Sequence, residues 1–197
     1  CVEDDCITVG AGMLLSKTAN RAAEHGLTGM EFAAGIPGRI GGAVVMNAGA
    51  YGGEMKDILT AVTVLDQEGN EKILSAEELE LGYRTSCILK KGYIVTGAKI
   101  KLKHGEETAI RARMEELKKQ RVEKQPLEYP SAGSTFKRPE GYFAGKLIMD
   151  AGLRGYLVGE AQVSEKHCGF VINRGNATAA DVRTLMQNVA DIVEELS

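Results

Sequence analysis

A glycine-rich segment is the part of this sequence best suited to hold a ligand against the backbone. It reads Gly35-Ile36-Pro37-Gly38-Arg39-Ile40-Gly41-Gly42-Ala43, and Asn47-Ala48-Gly49-Ala50-Tyr51 follows shortly after it. Glycines let backbone N–H groups converge on an anion and let the backbone approach a flat ring without an intervening Cβ. The spacing matches neither the Walker phosphate-binding loop nor G-x-G-x-x-G. A ligand-binding loop and a tight loop packed under a helix both remain open as interpretations.

Two other segments carry side chains suited to polar chemistry. Ser134 lies among small residues, with Lys137 and Arg138 close behind it, and a hydroxyl beside cations can donate a proton or bind a phosphate. Arg84, next to Tyr83, has the geometry to clamp a carboxylate through two parallel hydrogen bonds. Taken singly, the serine is better interpreted as a turn residue and the arginine as a surface residue packed on the tyrosine.

A polar loop near the C-terminal end, residues 162–170, contains Lys166 and His167 and is a further candidate for binding a nucleotide. As an isolated feature it is better interpreted as a solvated hairpin turn. His167 and Cys168 have no third partner nearby in sequence, so the pair does not support a cysteine nucleophile. The remaining cysteines and histidines are too scattered to predict a metal site.

Hydrophobic periodicity predicts an α+β fold that positions these segments. Helices are predicted over 13–25, 106–124 and 144–151 and from Thr178 to the end, and strands over 6–10, 61–65, 71–74, 93–103, 157–163 and 169–173. The capping-box spacing of Ser75 and Glu78 predicts a short helix to Leu81, and residues 35–53 are expected to form an irregular connection. A domain boundary is expected after the alternating strand, which gives domains of 1–105 and 106–197.

The composition is that of an ordinary globular protein, with 44% apolar and 26% charged residues and a net charge of -3. The sequence has no basic stripe interleaved with aromatic residues, which argues against a nucleic-acid partner. It has no apolar run of about 18 residues either, so we expect no membrane span. Without a secretory segment, the four cysteines are expected to be reduced thiols in the cytoplasm.

The order of the motifs resembles the MurB reductases from end to end. The motifs are G-I-P-G-x-x-G-G-A, N-A-G-A-Y-G, G-Y-R-x-S, Q-P-L-E-x-P-S-A-G-S-x-F-K-R-P, V-S-x-K-H-x-G-F-x-x-N and A-T-A-x-D-V. The serine motif is the most specific of them. The chain is similar to the shorter variety of the family, in which the connection after Arg84 lacks an inserted tyrosine loop.

This resemblance implies the C-terminal part of a vanillyl-alcohol-oxidase/PCMH-type FAD-binding domain, followed by a small α/β MurB C-terminal domain that binds substrate. It implies FAD and NADPH as cofactors and UDP-N-acetylglucosamine enolpyruvate as the substrate, which is reduced to UDP-N-acetylmuramate for peptidoglycan. Arg84 and Ser134 are then the catalytic residues, and Tyr83, Lys137 and Lys166 bind substrate. The residues expected to bind cofactor are Gly35, Ile36, Pro37, Gly38, Gly41, Gly42, Ala43, Asn47, Gly49, Ala50 and Tyr51.

Two departures from the family pattern limit what the resemblance implies. The family's first flavin-contacting loop and its C-terminal catalytic glutamate have no counterpart here, and Glu194 and Glu195 do not fill the glutamate's role. We therefore expect a fragment, inactive on its own, of a monomeric cytoplasmic enzyme. A non-catalytic nucleotide- or flavin-binding module of the same fold is the alternative. A flavin oxidase with covalently attached cofactor is less favoured, because His25 and Cys87 lie in no matching motif.

Overall fold

The structure, a computed structural model, describes residues 1–196, with Ala132 described by its backbone alone. The chain forms two compact units, Cys1–Lys119 and the residues from Gln120 onward. Helices and strands are both present throughout, so the predicted α+β class is confirmed. The division into domains at residues 105 and 106 stays a prediction.

The first unit is built around a five-stranded antiparallel sheet with the order β1-β2-β8-β6-β7. In chain order its elements are β1 (Val2–Glu3), β2 (Cys6–Gly10), α1 (Leu15–Glu24), β3 (Leu27–Thr28), α2 (Ile40–Val45), β4 (Gly49–Ala50), β5 (Gly53–Glu54), β6 (Leu59–Leu65), β7 (Glu71–Ser75), α3 (Cys87–Lys91), β8 (Ile94–Lys101), β9 (Lys103–His104) and α4 (Glu107–Lys124), with 3-10 turns at Glu31–Ala33 and Met55–Asp57. Helix α4 continues past Lys119 into the second unit.

One apolar core joins the sheet of the first unit to its helices. Val62 and Ile100 are fully buried on the sheet, and they share a cluster with Leu15 of α1 and Val44 of α2. Burying each such side chain contributes about 1.5–3 kcal/mol. The amphipathic spacing predicted α1 and α4, and both are confirmed with ends shifted by a few residues.

Alternation along the predicted strand over 93–103 places Ile94 on the same face as Ala98 and Ile100, and this prediction is wrong because β8 contains a bulge. Thr63 pairs with Gly97 and Val64 pairs with Val95, so Thr96 is an extra residue without a partner on β6. An inserted residue reverses the alternation of side chains beyond it. Val95 therefore packs against the core, whereas Ile94 is exposed.

The predicted helix after Ser75 is also wrong, although its capping bonds are present. The backbone N–H of Ser75 donates to Glu78 Oε2 at 2.8 Å, and Glu78 N–H donates back to Ser75 Oγ at 3.4 Å. The segment forms turns only. Glu80 has a φ of +48°, a left-handed conformation that ends the turn before a helix can propagate.

The glycine-rich connection is more regular than predicted, since it contains α2 and the hairpin of β4 and β5. Helix α2 has only six residues and includes Gly41 and Gly42. Glycine is a poor helix former, so propensity gave no signal for this helix. Burial of Ile40, Ala43 and Val44 stabilises it instead.

The second unit has a four-stranded antiparallel sheet with the order β10-β13-β12-β11. Its elements are β10 (Ser131–Ser134), α5 (Ala144–Asp150), β11 (Leu157–Val158), β12 (Ala161–Val163), β13 (Phe170–Asn173) and α6 (Ala179–Leu196). Leu185 and Val189 of α6 pack on Ala161 and Val163 of the sheet. The predicted strand over 157–163 is instead a hairpin, because Gly159, with a φ of +56°, opens a two-residue turn.

Candidate functional site

The glycine-rich segment is fastened to the loop that follows β2 by backbone hydrogen bonds. Leu15 N–H donates to Gly38 O at 3.0 Å, while Ile40 N–H donates to Met13 O and Gly41 N–H to Ala11 O, both at 2.9 Å. A Cβ on Gly41 would lie 3.0 Å from Ala11 Cβ. Part of this segment therefore serves close packing, and at least four of its N–H groups, those of Ile36, Ile40, Gly41 and Ala43, are already used within the fold.

Other positions in the same segment present bare backbone to solvent. A Cβ added to Gly42 would meet no atom of the described residues within 4 Å, and the same holds for Gly12 in the adjoining loop. Gly35 and Pro37 are exposed, whereas Ile36 packs against the core. The predicted cofactor residue Ala43 is buried, and Gly38 is half-buried. A flat ligand can thus approach the chain closely at Gly42 and Gly12.

The hairpin of β4 and β5 turns at Tyr51 and Gly52, which have φ values of +52° and +85°. Two central residues with positive φ are typical of a type I′ turn. A Cβ on Gly53 would lie 2.6 Å from Phe32 Cδ1, and one on Gly49 would lie 2.7 Å from Glu54 Cβ. The hairpin therefore packs its backbone directly on the buried Phe32 ring, with Ala50 and Tyr51 half-buried at its end.

Arg84 lies in a tight turn closed by two hydrogen bonds between Gly82 and Thr85, at 3.1 and 3.3 Å. Its guanidinium donates from Nη1 to Asn47 O at 3.2 Å and from Nη2 to Gly49 O at 3.0 Å. The Arg84 Cζ also lies 5.2 Å from the centroid of the Tyr83 ring. The turn and the hairpin, more than 30 residues apart in sequence, are thus joined by this side chain.

Backbone strain is concentrated in this part of the first unit. Among residues 1–196, five residues other than glycine have positive φ, and three of these are Asn47, Tyr51 and Arg84, at +44°, +52° and +54°. Each such conformation costs about 1–3 kcal/mol and persists only where the surroundings impose it. The surrounding contacts therefore hold these three residues in this geometry.

The chemistry available here is the binding of an anion. A guanidinium has five N–H groups, and the contacts to the two carbonyls use two of them. Arg84 is half-buried, so its charge is less screened than that of a surface arginine. Glu54, which accepts a hydrogen bond from Asn47 Nδ2, also forms an ion pair with Lys56, and the hydrogen bond that Lys56 donates to Glu54 raises the pKa of Lys56. Arg84 can therefore hold its own loop and still present N–H groups to a carboxylate.

In the second unit, Ser134 lies at the end of the edge strand β10 and is exposed. Ser131 pairs with Ile172 and Ser134 with Phe170, so β10 carries one extra residue between them. Gly133, with a φ of +80°, lies in this bulge, and its N–H donates to Ser131 Oγ at 3.0 Å. Bulges commonly re-aim a side chain beside a functional site.

His167, which lies in the loop that the sequence offered as a candidate for binding a nucleotide, is close to Ser134. A Cβ on Gly169 would lie 3.0 Å from His167 Cε1 and 3.7 Å from Ser134 Oγ, so a side chain at that position would crowd both groups. His167 Nδ1 accepts the Gly169 N–H at 3.1 Å, and its ring meets Phe170 edge-on at 4.9 Å. The signal available in the sequence was the H-x-G spacing, which places a histidine and a glycine around one tight turn.

The two lysines predicted to bind substrate have different surroundings. Lys137 is exposed shortly after β10. Lys166 Nζ donates to Val122 O at 2.8 Å and lies 3.7 Å from Glu128 Oε2. Lys166 therefore has fewer of its three N–H groups left for a phosphate, and Lys137 is the better candidate.

Within the described residues, no group of three or more His, Cys, Asp or Glu side chains is arranged to hold a metal ion. In residues 1–196, no helix has both the length and the apolar character needed to cross a membrane.

Comparison with known families gives two matches that together cover most of the chain. Residues 1–75 match an FAD binding domain, and residues 125–197 match the C-terminal domain of UDP-N-acetylenolpyruvoylglucosamine reductase. The first match contains the glycine-rich segment and the hairpin, and the second contains Ser134 and His167.

Individual relatives agree with these matches. The chain is 62% identical over 193 residues to the UDP-N-acetylenolpyruvoylglucosamine reductase of Agathobacter rectalis, covering 97% of this chain and 62% of the relative. It is 63% identical over 195 residues to the enzyme of that name from Lachnoclostridium phytofermentans, covering 99% and 63%. The chain thus spans less than two thirds of the length of these curated relatives.

A solved structure supports the same relationship. The crystal structure of UDP-N-acetylenolpyruvylglucosamine reductase (MurB) from Thermus caldophilus aligns with a TM-score of 0.85 at 42% identity, covering 96% of this chain and 70% of that one. The predicted combination of an FAD-binding domain and a MurB C-terminal domain is confirmed. The chain belongs to the UDP-N-acetylenolpyruvoylglucosamine reductase (MurB) family.

Proposed function

We propose that the complete protein containing these residues reduces UDP-N-acetylglucosamine enolpyruvate to UDP-N-acetylmuramate with NADPH and FAD, in the cytoplasm, as a monomer, for peptidoglycan synthesis. The observation that carries the proposal is the guanidinium of Arg84, held on the glycine hairpin by the carbonyls of Asn47 and Gly49. Because the chain spans 62–63% of the length of the two curated relatives named above, the activity is assigned to the complete protein.

The residues present fit a flavin at the glycine-rich segment. Gly42 and Gly12 leave bare backbone open to solvent, where a Cβ would stand in the way of a flat ring or a diphosphate. Bound FAD would supply the hydride transfer, taking a hydride from NADPH and delivering it to the terminal methylene carbon of the enolpyruvyl group. The exposed Gly35 and Pro37 and the hairpin end at Ala50 and Tyr51 are proposed to extend this surface.

Arg84 is proposed to bind the carboxylate of the enolpyruvyl group. Addition of hydride to one carbon leaves negative charge on the neighbouring carbon, and that charge spreads into the carboxylate. A fixed cation stabilises this charge without having to reorganise during the reaction, and one such donor is worth about 2.7–4 kcal/mol. Tyr83, against which the guanidinium rests, is proposed to border the same site.

Ser134 is proposed to donate the proton that completes the reaction at the neighbouring carbon. It is exposed at the end of β10, where a ligand can reach its hydroxyl. A positioned proton donor contributes roughly 10²–10⁴ in rate. A serine hydroxyl is a poor acid, so we propose that Lys137 polarises it or holds the UDP diphosphate beside it.

The test separates the two halves of the reaction in the complete protein. In stopped flow, Ser134→Ala should leave flavin reduction by NADPH unchanged and slow reoxidation by substrate by roughly 10²–10⁴-fold. Thr184→Ala is the control, because it removes an exposed hydroxyl from α6 and leaves the hydrogen bond from Gly133 N–H to Ser131 Oγ in place. Normal reoxidation in Ser134→Ala would exclude the role of that residue. Flavin bound by a wild-type protein that substrate never reoxidises would instead favour the non-catalytic binding module.

A further inference from the structure

We propose that Asn47 is a positioning residue for Arg84, a role that rests on the function proposed for Arg84 above. The side chain of Asn47 is fully buried, and it connects the hairpin, the 3-10 turn after the hairpin and the turn that carries Arg84. This role differs from the cofactor contact predicted for Asn47 from the family resemblance. It follows from the partners of the amide group.

The Asn47 amide is fully engaged within the protein. Its Nδ2 donates to Glu54 Oε2 at 2.9 Å and to Gly82 O at 3.1 Å, and its Oδ1 accepts the backbone N–H of Lys56 at 2.9 Å. An amide has two N–H donors, and both are used here. Since the residue is also 0% exposed, its side chain has no donor to offer a ligand.

These bonds form a closed circuit with Arg84. The Asn47 side chain holds Gly82 O, the carbonyl that also accepts the N–H of Thr85 and so closes the turn. In return, Arg84 Nη1 donates to the backbone carbonyl of Asn47. The direction of the guanidinium therefore depends on the amide. Loss of the amide frees the turn even though Arg84 itself is intact.

The backbone of Asn47 decides which substitutions are informative. Its φ is +44°, a conformation that asparagine, aspartate and glycine tolerate better than other residues. Asn47→Gly keeps this conformation and removes every side-chain bond. Asn47→Asp keeps the conformation and the acceptor for Lys56 N–H, but it places a carboxylate against Glu54 and Gly82 O.

The experiment measures both half-reactions of the complete protein across pH. Asn47→Asp should slow substrate-dependent reoxidation about 100-fold at pH 8, the order expected for a displaced catalytic group, while NADPH reduction stays unchanged. The charged groups around the new carboxylate are Glu54, Lys56, Asp57 and Arg84. Repulsion from Glu54 favours the protonated form of the new carboxyl group, whose O–H can again donate a hydrogen bond. The rate should therefore recover as pH falls towards 6. Asn47→Gly should show the same loss without the recovery.

A destabilised control separates positioning from general loss of structure. Asp66→Asn disturbs a buried, hydrogen-bonded turn between β6 and β7, away from the circuit. This substitution should lower the melting temperature without changing the ratio between the rates of the two half-reactions. The proposal is overturned if Asn47→Asp slows both half-reactions equally, raises only KM, or shows no recovery at low pH.

A spectroscopic readout keeps this proposal distinct from the proposed function. In wild-type protein, the Arg84 Nη protons held by two carbonyls should give slowly exchanging NMR signals, and Asn47→Gly should abolish them. If substrate never reoxidises the wild-type flavin, the proposed function fails and the NMR comparison still tests the circuit. If the signals persist in Asn47→Gly, the amide does not position the arginine.

Discussion

Arg84 and Ser134 are held in place by different means. Arg84 is fixed by long-range hydrogen bonds to the carbonyls of Asn47 and Gly49, in a region where added Cβ atoms would collide with buried neighbours. Ser134 lies at an exposed end of an edge strand, and its direction depends on a local bulge at Gly133. One residue is oriented by the packing of the fold and the other by the conformation of a few residues.

The difference corresponds to the two proposed tasks. A group that stabilises developing charge is most effective when its orientation is set before the reaction begins. A proton donor must meet the substrate directly, so exposure in the absence of ligand is expected. We therefore expect substitutions around Arg84 to clash with packed neighbours and to lower the free energy of unfolding of the first unit. Substitutions around Ser134 should cost less and should act only on the residues nearby.

The largest effect is expected from Gly53→Ala. Its new Cβ would lie 2.6 Å from Phe32 Cδ1 and 2.9 Å from Phe32 Cγ, inside a packed core. Overpacking of this kind costs typically 1–3 kcal/mol, and we expect a value near the upper end for the free energy of unfolding. Hydrogen-exchange mass spectrometry, which reads the two units separately, should show lost protection in the first unit.

Gly52→Ala is the matched control for that substitution, one residue earlier in the same turn. Gly52 has a φ of +85°, and its added Cβ would meet no atom of the described residues within 4 Å. The free energy of unfolding should therefore fall only by the conformational cost of about 1–2 kcal/mol. Equal losses in the two variants would mean that packing on Phe32 does not fix the hairpin.

The same contrast explains which features the sequence predicted. Helices α1, α4 and α6 follow from their apolar spacing, because helical periodicity is a local property. The order of motifs also identified Arg84 and Ser134 as candidates. The bonds from Arg84 to Asn47 and Gly49 cross more than 30 residues and required the tertiary structure.

Local signals were also overridden where the backbone takes an unusual conformation. The capping bonds between Ser75 and Glu78 form as predicted, yet the left-handed Glu80 prevents a helix. The bulge at Thr96 reverses the faces of Val95 and Ile94, and an alternating pattern gives no warning of such an insertion. Both deviations depend on single φ values or single extra residues, which composition and periodicity do not encode.

A smaller effect is expected at Gly133, near Ser134. Its φ is +80° and an added Cβ would meet no atom of the described residues within 4 Å, so Gly133→Ala should cost only about 1–2 kcal/mol of conformational strain. Gly133→Asn should cost less, because asparagine tolerates this region better. Substrate-dependent reoxidation should fall in Gly133→Ala and recover partly in Gly133→Asn. If Gly133→Ala lost as much protection against hydrogen exchange as Gly53→Ala does, the effect of the bulge would not be local.

The last expected effect depends on pH and concerns two aspartates, one in each unit. The hydrogen bond from Lys72 holds the pKa of Asp66 well below its usual range, and Asn70 N–H adds to this. The backbone N–H of Thr178 lowers the pKa of Asp181 at the start of α6. A carboxyl with a lowered pKa in the folded state stabilises the protein above its unfolded pKa of about 3.9, and this stabilisation is lost as pH falls further.

Acid should therefore weaken the first unit more than the second, because Asp66 is buried with several partners whereas Asp181 is partly exposed. In thermal unfolding, Asp66→Asn should be less stable than wild type at pH 6. The gap should narrow as pH falls below about 4, because the Asp66 carboxyl of the unfolded wild-type chain then takes up a proton while the folded one stays ionised. Asp181→Asn should show a smaller gap over the same range. A gap for Asp66→Asn that does not change with pH would mean that the turn depends on the shape of the side chain rather than on its charge.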